Sequence, residues 1–181
     1  MARSVERKKL RAPGYDYSSA GRYFITIGTR DRYCILSEIV PSSVQNGNAA
    51  GENVRATVRL SDIGQNVEQV IGEMNRIYQD IRIELYVIMP NHLHLIVHVF
   101  EKAGTSRTPS PTKTNARIPA LISTLKRFSN RYVEENMWQR SYYDHIIRDD
   151  SEYEAVCRYI ENNPDQWEED ELFVDANPRS L

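Results

Sequence analysis

The sequence predicts an α+β fold in which helices pack on one face of an antiparallel sheet. Two observations lead to this prediction. Strand-like and helix-like segments follow one another in the order β-α-β-β-α-β, and a further helix comes after the last strand. The chain has 181 residues, of which 40% are hydrophobic, so it can bury one core. We therefore expect a single domain over residues 1–181, with its core in residues 20–165.

Composition and charge narrow the class of protein. The 27% of charged residues and the eleven tyrosines disfavour a disordered chain. The two cysteines, Cys34 and Cys157, do not have the spacing of a disulfide scaffold, so we expect free thiols in a reducing compartment. The sequence contains no apolar run long enough to span a bilayer. The expected location is cytoplasmic, with no membrane partner.

The first half of the chain contains one strand, one insertion and one helix. Tyr23 to Thr29 is rich in aromatic and β-branched residues, which predicts a strand. Residues 41–58 are dense in Gly, Asn and Ser, which predicts a long surface loop or a hairpin. After Ser61, a possible N-cap, apolar residues recur at steps of three and four and predict an amphipathic helix.

The second half completes the fold. Ile83 to Met89 and His92 to Phe100 are strand-like runs joined by a Pro-Asn turn, and residues 101–116 form a predicted surface loop. The later segments are a helix from Ile118 to Tyr132, a strand from Tyr142 to Ile147, a helix from Glu152 to Asn162 and an acidic tail at residues 166–181. This order matches the split β-α-β, or ferredoxin-like, arrangement, with an extra C-terminal helix that carries Tyr159.

Two histidines on one strand form a candidate metal site. Because side chains alternate along a strand, His92 and His94 share a face and lie roughly 6.6 Å apart along the strand axis. Two imidazoles at this spacing can converge on one ion at bonds of about 2.0–2.1 Å. The alternative is a pair of half-exposed polar residues. His98 lies about 13 Å beyond His94, which is too far to join them easily.

The last helix offers a candidate nucleophile. Tyr159 and Asn163 are four residues apart and would share one helical face. The alternative is a tyrosine that packs through its ring and leaves its hydroxyl in water. As a nucleophile, a phenol with an ordinary pKa of about 10 needs a nearby cation or base to assist its ionisation.

Three blocks of sequence, taken together, are specific: Tyr86 to Val97, Trp138 to Asp149 and Tyr159 to Pro164. They resemble the single-tyrosine HUH transposases, especially the branch called REP-associated tyrosine transposases. The similarity extends from about Tyr23 to Pro164, which is most of the chain. The loop at 41–58 and the acidic tail have no counterpart among the family motifs.

The resemblance implies an enzyme that cleaves and rejoins single-stranded DNA, often at a hairpin or palindromic element, through a covalent phosphotyrosine. It assigns the metal to His92, His94 and Asn163, with Leu93 as the buried middle residue, and the nucleophile to Tyr159. The implied cofactor is Mg²⁺ or Mn²⁺. Imidazole ligands suit softer ions than Mg²⁺, so Zn²⁺ or Ni²⁺ could occupy the site in a purified sample.

Basic charge is segregated along the chain and indicates where DNA would bind. Residues 102–140 contain eight Lys or Arg against two acidic residues, whereas 149–175 contains eleven acidic residues. The expected DNA-binding residues are on the second helix or flank the last strand: Lys126, Arg127, Arg131, Arg140 and Arg148. Trp138 and Tyr142 or Tyr143 could stack on exposed bases, although aromatic residues in a strand are more often part of the core. The alternative for such charge runs is solvated surface.

Two other functions share this pattern. One is a domesticated, non-catalytic protein that binds single-stranded or hairpin DNA, and the other is a replication or plasmid-relaxation nickase. The sequence leaves open whether the chain acts as a monomer or as a homodimer, and whether Tyr159 reaches the histidines of its own chain.

Overall fold

The computed structural model describes residues 20–41, 55–101 and 117–174. These ranges contain the strands β1 (Gly21–Gly28), β2 (Ser37–Pro41), β3 (Ala56–Leu60), β4 (Ile81–Ile88), β5 (His92–Val99) and β6 (Tyr143–Ile147), and the helices α1 (Asp62–Ile77), α2 (Arg117–Ser129) and α3 (Asp150–Asn162). The basic N-terminal arm, most of both expected surface loops and the end of the acidic tail lie outside the described residues.

Four strands form one antiparallel sheet in the order β4-β5-β1-β6. The first strand, β1, therefore lies between β5 and β6, as the split β-α-β arrangement requires. β2 and β3 form a separate two-stranded antiparallel sheet. The two ends of the segment that was expected as a loop or hairpin, residues 41–58, therefore pair with each other. The predicted ferredoxin-like α+β fold is confirmed.

Helices α1 and α2 pack together on one face of the sheet and enclose the main core. Helix α1 begins where the sequence predicts, because the Ser61 hydroxyl accepts a hydrogen bond from the Gly64 backbone N–H at 3.0 Å. The apolar residues of both helices bury themselves against Tyr23, Ile25 and Ile27 of β1 and the alternate residues of β5. No helix in the described ranges is long and apolar enough to cross a membrane.

Helix α3 lies on the opposite face of the sheet. Its Ile160 packs against Ile96 of β5 and Ile147 of β6. The helix begins two residues before the predicted start, because the Asp149 carboxylate accepts a hydrogen bond from the Glu152 backbone N–H at 2.8 Å. The face that is covered by α3 carries the even-numbered residues of β5, including both candidate histidines.

The turn between β4 and β5 places His92 at the beginning of β5, at one end of the sheet. Pro90 and Asn91 form this turn, and the Met89 backbone N–H donates to the His92 carbonyl at 2.9 Å. His92 is thus the first residue of β5, paired with Gly28 at the end of β1.

Candidate metal and nucleophile site

His92 and His94 are buried side by side on the face of β5 that α3 covers. His92 is 0% exposed and His94 is 3% exposed, so they are not the half-exposed pair of the alternative interpretation. Their Nε2 atoms lie 3.0 Å apart. Leu93 points to the opposite face and is fully buried in the main core. His98 hydrogen-bonds to Glu84 instead, with 2.8 Å between His98 Nδ1 and Glu84 Oε1.

Neighbouring side chains orient both imidazoles. The Asn91 Nδ2 group donates to the Leu172 carbonyl at 2.7 Å, so the Asn91 Oδ1 atom accepts from His92 Nδ1–H at 2.9 Å. This leaves His92 Nε2 unprotonated and directed toward His94. The Thr26 hydroxyl lies 2.8 Å from His94 Nδ1 and can donate or accept, so it accommodates either His94 tautomer. When the His94 proton is on Nδ1 and is donated to Thr26, both Nε2 atoms are available to one cation.

Helix α3 brings the candidate tyrosine to this pair within the same chain. The Tyr159 hydroxyl lies 3.4 Å from His94 Nε2, and the two rings meet edge-on with centroids 5.3 Å apart. Tyr159 remains 41% exposed, so a substrate can reach its hydroxyl. Its ring also rests edge-on against Phe24 of β1. The alternative of a purely packed tyrosine with its hydroxyl in water does not describe this arrangement.

Asn163 follows Tyr159 by one helical turn and points into the same site. It is 2% exposed and keeps helical dihedral angles of −57° and −38°, although Pro164 comes next. Its Oδ1 atom is buried and has no hydrogen-bond partner among the described residues. The four residues that the resemblance implies for the site thus converge in space.

Asp170 is a member of the cluster that sequence reasoning missed. The segment after α3 turns back over the site, with Trp167 near His92 at 5.9 Å between ring centroids. The Asp170 Oδ2 atom accepts from Asn163 Nδ2 at 3.2 Å and lies 3.4 Å from the Tyr159 hydroxyl. It lies 4.0 Å from His92 Nε2, and its side chain is only 5% exposed.

Burial sets the protonation state of the site. It lowers the pKa of His92 to about 4, although the Asp170 carboxylate acts in the opposite direction. Burial and the neighbouring imidazole hold the pKa of His94 well below its usual value. Burial, followed by the negative charge of Asp170, raises the pKa of Tyr159 to about 12. At neutral pH both histidines are therefore neutral, and the phenol keeps its proton.

The donor atoms fit a divalent cation. One atom each from His92, His94 and Asp170 lies within 4.8 Å of the other two. Neutral imidazole nitrogens are the form that binds metal, and the partnerless Asn163 oxygen supplies a further donor in the same place. Two nitrogens with carboxylate and amide oxygens form a mixed donor set: the oxygens suit Mg²⁺ and Mn²⁺, and the imidazoles suit Zn²⁺, Fe²⁺ and Ni²⁺.

The five candidate DNA-binding residues lie in three places: a groove beside α2, the end of α2 and the start of α3. Lys126, Arg127 and Arg140 line one groove of about 570 Å³ beside α2. Arg131 stacks its guanidinium over the Phe128 ring at 4.2 Å, just past the end of α2. Arg148 is exposed at the start of α3. Lys126 already donates to the carbonyls of residues 139 and 141, which sequence reasoning did not foresee.

One suggested base-stacking residue is corrected by its burial. Trp138 is 1% exposed, and its indole Nε1–H donates to the Ser129 hydroxyl at 2.8 Å. It is part of the main core and cannot stack on DNA bases. Tyr142 is partly exposed and Tyr143 is 45% exposed, so both remain candidates.

Comparison with known proteins identifies the family to which this chain belongs. A protein of uncharacterised function from Haemophilus influenzae is 33% identical, over 93% of this chain and 94% of its own length. A second Haemophilus influenzae protein, described as a REP-associated tyrosine transposase, is 28% identical over 42% of this chain and 46% of its own length. A solved REP-associated tyrosine transposase bound to a REP hairpin has the same fold, with a TM-score of 0.53 and 18% identity, over 81% of this chain and 68% of its own. The family described as IS200-like transposases matches residues 51–163. The chain belongs to the IS200-like transposase family.

Proposed function

We propose that this protein cleaves and rejoins single-stranded DNA through a covalent bond between Tyr159 and a DNA phosphate. The observation that carries the proposal is the approach of the Tyr159 hydroxyl to within 3.4 Å of His94 Nε2, in one chain. Membership of the IS200-like transposase family supports it. Because both groups come from the same chain, the proposed step needs no helix from a second subunit.

The proposed step exchanges one phosphoester bond for another. The Tyr159 oxygen attacks the phosphorus atom of a phosphodiester and forms a new P–O bond. The bond from phosphorus to one flanking DNA oxygen breaks, and that oxygen leaves as a free DNA hydroxyl after it takes up a proton. The phenolic proton passes to solvent or to Asp170, which already accepts from the Tyr159 hydroxyl. A DNA hydroxyl can reverse these events and join a different strand.

The site by itself does not favour ionisation of the nucleophile. With a pKa of about 12, Tyr159 is almost entirely protonated at neutral pH. We infer that His92, His94 and Asn163 hold a divalent cation, Mg²⁺ or Mn²⁺, with the Asp170 carboxylate as a further ligand. Bound there, the cation would supply Lewis-acid polarisation of the scissile phosphate and offset the negative charge of the phenolate. Asp170 balances part of that positive charge.

The proposed substrate is single-stranded DNA with a hairpin element. The solved relative with the same fold is bound to a REP hairpin, which supports this choice for the present chain. Tyr159 is partly exposed, which is consistent with a phosphate that approaches its hydroxyl from solvent.

The proposal is tested by incubating labelled hairpin-bearing single strands with the protein and Mn²⁺. We expect strand cleavage and a band retarded on a denaturing gel by covalent protein, both abolished in Tyr159→Phe. Tyr143→Phe is the matched control, because Tyr143 is similarly exposed on β6. His92→Ala should lose both cleavage and Mn²⁺ binding. DNA binding without cleavage under all metals would contradict the proposal and favour the non-catalytic alternative.

A further inference from the structure

The groove beside α2 has the composition of a site for a polyanion. It is formed by α2 and by the segment from Asn136 to Tyr142 that precedes β6. Its described lining includes the cations Lys126, Arg127 and Arg140 and no acidic residue. The rest of the lining consists of side-chain amides, the Tyr142 ring and three α2 residues, Pro119, Ile122 and Ser123. Lys126 Nζ lies 5.9 Å from the centre of the Tyr142 ring. Cations beside an aromatic ring are the usual composition of a single-strand groove.

Lys126 has a structural part in this groove. Its Nζ donates to the Gln139 carbonyl at 2.7 Å and to the Ser141 carbonyl at 3.0 Å. These bonds fasten the 139–141 segment to α2 and fix the width of the groove. The side chains of Arg127 and Arg140, which are exposed on its two sides, are then the groups available to phosphates.

Gln139 connects the groove to the histidine face. Its backbone N–H donates to the Gly28 carbonyl at 2.9 Å, beside the end of β1. Its side-chain amide covers the α-carbon of Gly28, because a Cβ built on Gly28 would meet the Gln139 amide atoms at 3.1–3.3 Å. Gly28 is directly opposite His92 in the sheet and lies on the same face as Thr26. The amide therefore lies on the histidine face, over the residue that pairs with His92.

We propose that this groove binds the single strand that leads to the cleavage site, with Arg127 and Arg140 on its phosphates and the Gln139 amide donating to a phosphate oxygen beside His92. The inference rests on the proposed function, since it assigns the path of the same substrate. Glycine at position 28 favours this placement, because a Cβ there would push the Gln139 amide away by a few tenths of an ångström.

The groove is tested by binding alone, in a chelator and in a Tyr159→Phe background, so that cleavage plays no part. The probe is a fluorescent oligo(dT) strand longer than the roughly 4–16 nucleotides that such a groove accommodates. Arg127→Ala and Arg140→Ala should each reduce the magnitude of the slope of log K against log salt concentration by about 0.7, where K is the binding constant for the strand. Arg82→Ala, an exposed arginine on β4 at the other edge of the sheet, is the control and should leave it unchanged. Unchanged slopes in both groove variants, or equally tight binding of a matched duplex, would overturn the proposal.

The role of Gln139 is tested by a double-mutant cycle with Gly28, using the same binding assay. Gln139→Ala should weaken binding on the order of tenfold, the lower limit for one hydrogen bond to a charged group. Gly28→Ala should weaken binding less, because its Cβ displaces the Gln139 amide without removing it. The double variant should lose no more than Gln139→Ala, since both substitutions act on the same amide contact. Mn²⁺ affinity should stay unchanged in all three. Additive losses, or no loss in Gln139→Ala, would overturn this part. Cleavage by the parent protein with unaffected binding in these variants would leave the proposed function standing and refute the groove alone.

Discussion

The hydroxyl of Thr26 offers the sharpest test of how the histidine pair is prepared for a cation. It lies 2.8 Å from His94 Nδ1, the nitrogen that faces away from the site. Thr26→Val keeps the shape of the side chain but removes this bond, so the imidazole loses the group that fixes its orientation. Removing such a partner costs about 10- to 100-fold in metal affinity, which corresponds to about 1.4–2.7 kcal/mol.

The assay is calorimetric titration of the metal-free protein with Mn²⁺, together with thermal unfolding at saturating Mn²⁺. Thr57→Val, on β3 in the separate two-stranded sheet, removes an equivalent hydroxyl away from the histidines and serves as the control. We expect weaker Mn²⁺ binding only in Thr26→Val, with the fold intact. Equal Mn²⁺ affinity in both variants would refute the claim that the Thr26 hydroxyl prepares His94 as a ligand.

Three further predictions concern the carboxylate of Asp170, the stability of the protein at acid pH, and the contact between Gly64 of α1 and the Leu36 carbonyl. Asp170→Asn should lower the pKa of Tyr159 in the metal-free protein from about 12, because the negative charge of Asp170 contributes to raising that pKa. NMR titration of labelled tyrosine would measure the change, and an unaltered Tyr159 pKa would contradict the prediction. Burial lowers the pKa of His92 to about 4, so below about pH 6.5 the unfolded state binds a proton that the folded state does not, and the free energy of unfolding of the metal-free protein should fall as the pH drops. The part of this loss that comes from His92 approaches about 3 kcal/mol by pH 4. His92→Gln should remove that part and keep the part from His94, whose pKa is also lowered, so an equal loss in the parent and in His92→Gln would contradict this prediction. Gly64→Ala should destabilise the protein by about 1–3 kcal/mol or more in urea unfolding, because the new Cβ would lie 2.0 Å from the Leu36 carbonyl oxygen. Gly72→Ala on the same helix meets nothing closer than 4.0 Å and should stabilise it by up to about 1 kcal/mol; equal effects of the two substitutions would contradict this account.

Local chemistry in the sequence was sufficient to predict most of the fold. The Ser61 cap, the Pro90-Asn91 turn and the alternation along β5 each have a local cause, and each appears where it was predicted. The strand order could be inferred because the order of elements left few arrangements. The start of α3 was less accurate, since the Asp149 carboxylate caps the helix two residues before the apolar pattern indicated.

The candidate site was partly predictable, and the missing parts depend on tertiary contacts. His92, His94, Tyr159 and Asn163 were chosen by spacing on single elements and by family resemblance, and the fold brings them together. Asp170 was missed because nothing in an acidic run tells which carboxylate will turn back over a helix; only the buried approach of this one to Asn163 and Tyr159 does. The one signal that was present is the acidic run shortly after the Tyr159 helix, to which Asp170 belongs.

The burial of Trp138 and the anchoring of Lys126 share one explanation. Trp138 belongs to the segment that closes over the end of β1, and Lys126 of α2 holds that segment by hydrogen bonds to its carbonyls; the path of the segment depends on such contacts with α2, which a linear pattern does not encode. Aromatic and basic residues in a short segment between a helix and a strand can face DNA or the core. The local sequence does not distinguish these two orientations, because it would be the same for both.

Peptide mapping of the covalent product is the most direct test of the central claim. The protein is incubated with Mn²⁺ and a hairpin-bearing single strand, digested with nuclease and protease, and analysed by mass spectrometry. The account predicts a nucleotide attached to the peptide that contains Tyr159, and no such adduct when His94 is replaced by Ala. An adduct on any other residue, or one that survives in Tyr159→Phe, would contradict it.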